Sequence, residues 1–389
     1  MKSTTKVILL ALTVLLLFAS AIQQETRLFK FKALNGVTET ASKPQLAFSS
    51  FYSGAYQRDI EAYLKQDCGF HEPLTRLYNQ VLWSLFRYAK VAEDRRIVIT
   101  PDNWIFEPWT VEEYYQSHAY SYTQDSVEMA QVFEAEAQRL RQLQAALEPY
   151  GPRLFVALLP GKEQICAEHM PENTSYFKEK KITAYGFYSK RLKELGVNHV
   201  DLAEWFLQMK DSVNYPLYPQ TGTHWSNLAA IHAADTLVHY MEWLSDSNMV
   251  NIKIGNTFRR TMKPDNDLES LMNLIWPLQK APNYLAEACC DKDTTAWCPR
   301  LLTIGDSYYW NIHNYTPVGD VFDSAPYWYY FSTAYFNGPE EPVGKKDVLK
   351  EVLSADFVML SYSTISLYEM SNGFSQRLLH ELKKKDRQQ

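Results

Sequence analysis

The 389-residue chain is 46% hydrophobic and 22% charged, enough apolar material for one large core or two modest ones. Its formal charge of -6 excludes the broad basic field of a general nucleic-acid binder. The 26 Tyr and 10 Trp offer flat apolar faces with a polar edge, which suit sugar rings and ordinary cores alike.

At the N-terminus Lys2 and Lys6 precede the apolar run Val7 to Phe18, and Ala19-Ser20-Ala21 follows. A basic start, an apolar middle and a small-residue end are the parts of a secretory signal. The run is short for a spanning helix, which needs roughly 20 apolar residues. Residues 1–22 therefore read as a cleaved signal peptide or as an uncleaved signal anchor. Both place the body of the protein outside the cytoplasmic membrane, in the periplasm or anchored to the outer face. Residues 23–50 read as an irregular lead-in, and 51–389 as a single domain.

Arg58 to Arg87 predicts helices. Ile60, Tyr63 and Leu64 recur at helical spacing, as do Leu74, Leu77, Val81 and Leu85 after Pro73. Arg96 to Ile99 predicts a short strand, and the turn Pro101-Asp102-Asn103 leads into the extended piece Trp104 to Phe106. Regular alternation follows. Ser126 can cap a helix to about Leu147, ended by Pro149 and Gly151. Leu154 to Leu159 is a near-continuous apolar strand stopped by Pro160-Gly161. A helix over Ala184 to Leu195 ends at Gly196, and Asn198 to Leu202 is a further strand. A helix opens near Ser226 and runs to about Leu244. Strands over Leu301 to Ile304 and Ala355 to Leu360 follow, and Leu379 to Gln389 closes the chain as a helix with a basic end. Strands alternating with helices predict an α/β fold with a mainly parallel sheet covered on both faces.

Five cysteines, Cys68, Cys166, Cys289, Cys290 and Cys298, leave at least one thiol free or paired between chains. Cys298 could bridge to Cys289 or to Cys290. No metal site is expected: Cys289 and Cys290 are adjacent, and His232 and His239 read as ordinary helix histidines. No cofactor is called for. Asn173-Thr174-Ser175 has the glycosylation pattern.

The chemistry concentrates in two short motifs. The run Leu301-Leu302-Thr303-Ile304 ends in Gly305-Asp306-Ser307, which delivers a serine to the carboxyl edge of a sheet, where open α/β folds bind ligands. The backbone N–H groups of Ser307 and Tyr308 can point at a developing oxyanion. A serine needs a base, and His224 in Thr223-His224-Trp225, at a loop-to-helix junction, is the candidate. Each motif alone also fits a plain turn; together they form the nucleophile–base pair of acyl transfer. Tyr308, Tyr309, Trp310, Tyr315, Tyr327, Trp328, Tyr329 and Tyr330 crowd after the serine. Trp225, Tyr309, Trp310 and Lys162 are candidate substrate contacts, Lys162 for an anionic sugar.

Gly305-Asp306-Ser307 resembles the serine block of the SGNH hydrolases and Thr223-His224-Trp225 the histidine block. The usual order, serine first, is reversed here. That order, with a Trp after the His, resembles the circularly permuted SGNH domain of the alginate acetylation proteins (AlgX/AlgJ-like). Arg58-Asp59, Gly69-Phe70-His71-Glu72-Pro73, Asp102 to Phe106 and Pro160-Gly161-Lys162-Glu163 are also similar. The resemblance implies a three-layer α/β/α sandwich and an exported O-acetyltransferase. Ser307 would carry acetyl to an exopolysaccharide or cell-envelope glycan, with a membrane-bound O-acyltransferase supplying it. The family usually has Asp two residues before the His, and this chain has Gly222. An aspartate there would orient the imidazole. Asp306 and Asp201 are the candidate substitutes, with Asp306 better suited to fixing the nucleophile turn. Without an acid the site would run as a Ser–His dyad or the protein would be a non-catalytic glycan-binding scaffold; a carbohydrate esterase, with water as acceptor on the same site, also stays open.

Overall fold

The computed structural model describes residues 3–36, 41–89, 91, 97–115, 126–171, 183–260, 263–278, 280–291, 295–336 and 338–387. Arg96 and the Asn173-Thr174-Ser175 pattern lie outside the described residues. The chain divides into two compact units.

The first unit comprises residues 1–97 and 268–279. Its opening helix, Ser3–Thr26, is long and apolar enough over Thr4–Thr26 to cross a membrane, with a mean hydropathy of 2.3. Helices Ala55–Gln66 and His71–Phe86 occupy the stretch where the apolar spacing predicts them. On the second, the buried Asn79 amide donates to Met272 O at 2.8 Å, and Gln80 Oε1 accepts from the Ile275 and Trp276 amides. These bonds hold the 268–279 segment within this unit.

The second unit comprises residues 98–267 and 280–389 and contains a seven-stranded sheet. From one edge the strands are Glu341–Pro342, Thr333–Tyr335, Tyr327–Tyr329, Leu301–Gly305, Phe357–Ser363, Arg153–Leu159 and His199–Asp201. The last five run parallel; the first two pair antiparallel at the edge. Both faces are covered, which explains the unbroken apolar runs. Leu154, Val156 and Leu158 join Phe133, Leu140 and Leu143 on one side. Phe155, Ala157 and Leu159 join Leu228, Ala229 and Ile231 of helix Asn227–Ser245 on the other. The fold is thus the α/β sandwich with a mainly parallel sheet that the alternation predicts.

Three differences have physical causes. The strand expected over Ala355 to Leu360 runs Phe357–Ser363, because the polar Ser361 and Ser363 are fully buried and continue the register to Leu159. The last helix starts five residues early, at Phe374, where Phe374, Leu378 and Leu382 fill the core at four-residue spacing. An antiparallel ribbon, Ile252–Arg259 with Tyr284–Cys290, lies where no strand was expected. The thiols of Cys289, Cys290 and Cys298 are free.

Gly305 pairs with Ser361 of the neighbouring strand. A Cβ there would lie 2.2 Å from Ser361 O, a backbone atom of the central Phe357–Ser363 strand. Gly305→Ala must push those strands apart, and overpacking of this kind costs about 1–3 kcal/mol or more. The expected result is a lowered thermal midpoint; a midpoint equal to wild type would show that the strands can part freely.

Candidate active site

Ser307 lies just past the carboxyl end of Leu301–Gly305, in the turn before helix Tyr309–Tyr315. Asp306 builds that turn. It is 1% exposed, and its Oδ1 accepts the Tyr308 amide at 3.1 Å. Its Oδ2 accepts the Ser363 amide at 2.8 Å and the Ser363 hydroxyl. Burial pushes the Asp306 carboxyl above the usual carboxylate range, opposed by those hydrogen bonds.

His224 approaches from the loop before helix Asn227–Ser245, which Ser226 caps by accepting the Ala229 amide. Its Nε2 is 2.8 Å from Ser307 Oγ, within the range of a nucleophile–base hydrogen bond. The sequence separation is 83 residues, and the sheet closes it. Burial pushes the His224 imidazole below its ordinary value; the charges of Asp267 and Asp306 oppose that shift. Burial thus favours the neutral ring, the form able to accept the serine proton.

The two motifs are laced together by groups the sequence reading did not use for this purpose. Trp225 Nε1 donates to Tyr308 O at 3.2 Å, Asn311 Nδ2 to Trp225 O at 3.0 Å, and Tyr308 Oη to Thr223 O at 3.3 Å. The Tyr308 ring lies 5.0 Å from the imidazole. Trp225 and Tyr309, each 1% exposed, are packing residues with no face for a substrate, contrary to expectation. Tyr308 also differs: its amide is engaged by Asp306, so of the two amides expected to serve an oxyanion only that of Ser307 is left for the role. Trp310 is half-buried among Tyr327, Tyr329, Tyr335 and Phe336, in the first turn after the serine.

Lys162 does not reach outward to an anionic sugar. It is 1% exposed, and its ammonium donates to three backbone carbonyls: Ile105 O at 2.7 Å, Gln220 O at 3.2 Å and Gly222 O at 2.6 Å. It lies 5.3 Å from the Trp104 ring centre and 5.0 Å from that of Phe106. Burial pushes the ammonium down to about 8. Its neighbour Glu163 is also buried and accepts from Thr110 Oγ1.

Neither expected substitute acid orients His224. Asp306 is committed to the nucleophile turn. Asp201 caps helix Leu202–Met209 through the Glu204 amide at 2.9 Å and accepts from Tyr185 Oη. It also stands three strands from Leu301–Gly305, about 14 Å at ~4.8 Å per strand. The carboxylate facing the ring is instead Asp267, whose Oδ2 is 4.0 Å from Nδ1. No fixed spacing links it to the histidine motif, and no signal in the sequence singled it out. His232 and His239 are occupied by Tyr215 and by Asp235 and Glu242. Among the described residues no cluster of three or more His, Cys, Asp or Glu could hold a metal.

Comparison with known proteins bears on this geometry. A family model described as SGNH hydrolase-like domain, acetyltransferase AlgX, matches residues 97–297, just over half of the chain; the match spans His224 and Asp267 and ends before Ser307. No curated protein matches. Among solved structures, the O-acetyltransferase domain of Pseudomonas putida AlgJ is similar at 17% identity and a TM-score of 0.46, over 74% of this chain and 99% of that one. Pseudomonas aeruginosa AlgX is similar at 11% identity and 0.45, over 72% and 67%. Bacillus cereus PatB1 is similar at 14% identity and 0.44, over 72% and 100%. On the strength of the family match, the chain belongs to the AlgX family of SGNH hydrolase-like acetyltransferase domains.

Proposed function

We propose that this protein is an exported O-acetyltransferase that places acetyl groups on an exopolysaccharide or cell-envelope glycan through a Ser307 acetyl-enzyme. The observation that carries the reading is the 2.8 Å contact between His224 Nε2 and Ser307 Oγ. Ser307 Oγ attacks the donor's acetyl carbonyl as His224 Nε2 takes the hydroxyl proton. The imidazolium returns that proton to the departing group. A sugar hydroxyl then attacks the acetyl-serine, gives its proton to Nε2, and Ser307 Oγ recovers it. The Ser307 amide, in the turn after the strand, stabilises the oxyanion in both halves. Trp310, with Tyr329, Tyr335 and Phe336, supplies aromatic faces for the acceptor.

The apolar helix Ser3–Thr26 supports export, as a signal or as an anchor to the outer face of the cytoplasmic membrane. Family membership supports acetyl transfer to a polysaccharide. By the same resemblance a membrane-bound O-acyltransferase supplies the acetyl group.

The test is acetyl-enzyme formation by the full-length chain in detergent, with an activated acetyl ester and intact-mass readout. A single acetyl adduct that maps to Ser307 is expected, and added glycan oligosaccharide should discharge it faster than water. Discharge by water alone would make the protein an esterase. No adduct on folded protein would leave the non-catalytic scaffold.

A further inference from the structure

Gly222 stands where the family's usual aspartate would be, two residues before His224. A Cβ at Gly222 would lie 2.9 Å from the backbone C and O of Asp265 and 2.9 Å from Pro219 Cγ. The place of the missing side chain is thus filled by another stretch of backbone. That stretch is fastened on both sides of Gly222. Thr221 Oγ1 donates to Asp265 O at 3.2 Å, and the Thr223 amide donates to Asp267 Oδ1 at 2.9 Å. The second oxygen of the same carboxylate, Oδ2, is the one 4.0 Å from His224 Nδ1.

We propose that Asp267 is the orienting acid of this active site, supplied from the start of the short helix Asp267–Leu271, 43 residues after the histidine, instead of from position 222. The proposal rests on the Ser307–His224 reading above. Asp267 acts through His224 and touches no reacting atom, so it is a positioning residue. One oxygen is pinned by Thr223, which fixes the carboxylate; the other faces Nδ1. The remaining ring nitrogen, Nε2, is left for Ser307. As the ring takes the serine proton, the imidazolium Nδ1–H gains a carboxylate partner, and the 4.0 Å gap closes to a hydrogen bond; such bonds are commonly long before substrate arrives. The arrangement explains why glycine is required at 222: any side chain there would displace the backbone that brings the acid.

Among the described residues, the other charged or titratable groups near the ring and its loop include Asp306, Tyr308, Lys162, which reaches Gly222 O, and Lys280, which donates to Thr221 Oγ1. Asp267 and Asp306 both favour the imidazolium, against burial. Removing the Asp267 charge must therefore lower the pKa of His224 further.

The experiment measures kcat and KM for an activated acetyl ester against pH, on full-length protein in detergent, for wild type, Asp267→Asn, Asp267→Ser, Asp267→Glu and Ser307→Ala. Asn keeps an oxygen in the place of Oδ1 for the Thr223 amide and Ser keeps a shorter helix-start acceptor, so a purely structural role would leave Asp267→Asn near wild type. The expected result is a kcat lower by at least about tenfold in both, with ~10⁴ as the upper bound for loss of an orienting acid, and KM little changed. The acid limb of the profile should move to lower pH, and Asp267→Glu should regain part of kcat and return the limb towards wild type. Wild-type kcat with an unmoved limb in Asp267→Asn or Asp267→Ser, while Ser307→Ala is inactive, would overturn this proposal alone. An active Ser307→Ala would overturn the parent reading instead.

Discussion

Ser307→Ala is expected to form no acetyl-enzyme and to turn over an activated acetyl ester at the background rate. The two tyrosines that follow it cannot stand in: Tyr308 and Tyr309 are buried to 2% and 1% exposure, and burial pushes the Tyr309 phenol up to about 12. His224→Ala should keep the hydroxyl but lose its base, slowing the adduct by about 10²–10⁴-fold. Because the two groups act as one unit, the double variant should be no slower than Ser307→Ala. The sign of the pH dependence follows from the base. His224 works only when neutral, so activity should rise as pH rises through its pKa, and burial places that limb below the ordinary 6.5. Turnover by Ser307→Ala above a tenth of wild type would remove the serine from the mechanism. An acid limb above 6.5 would contradict the buried, neutral imidazole.

How far this site can be read from the sequence depends on how local each signal is. Ser307 was legible because a buried apolar strand and its terminating Gly-Asp-Ser are contiguous. His224 was legible because its junction and the Ser226 cap lie within three residues. The sheet was legible for the same reason: Leu154 to Leu159 and Leu301 to Ile304 are apolar on both faces. The failures are non-local. Asp267 reaches His224 only because the chain returns past Gly222, and nothing in Pro264-Asp265-Asn266-Asp267 encodes that return. Ser361 and Ser363 read as the end of a strand, yet Ser363 is buried because Asp306 needs its amide and hydroxyl. The ribbon strand Ile252–Arg259 is exposed along nearly all its length, so its composition carries no alternation to read. Lys162 is the same case: a lysine after a strand-ending Pro-Gly looks solvated, and only the converging carbonyls of Ile105, Gln220 and Gly222 reveal an internal strut.

That strut makes the second large prediction. Lys162→Met keeps an unbranched side chain one heavy atom shorter and removes its three hydrogen bonds. The Gln220 carbonyl retains the Ile105 amide at 3.0 Å, but the ammonium's bonds to Ile105 O and Gly222 O are gone. Each carbonyl left unsatisfied costs about 1–3 kcal/mol. Against this, the wild-type ammonium bears its own desolvation, seen in a pKa pushed from 10.5 down to about 8 and equivalent to about 3 kcal/mol. The two effects largely offset, so global stability should fall little, by a few degrees in the thermal midpoint. The local effect does not cancel. Gly222 O lies two residues from His224, and a misplacement of about 1 Å at a catalytic group can cost ~10² in rate. Lys162→Met should therefore lower kcat by roughly 10²-fold with KM nearly unchanged. Wild type should also lose activity as pH rises through about 8, where the neutral amine gives up one of its three bonds, and the variant should lack that limb. A raised KM with intact kcat would instead make Lys162 a substrate contact, and a variant indistinguishable from wild type would show that the His224 loop holds its shape without the strut.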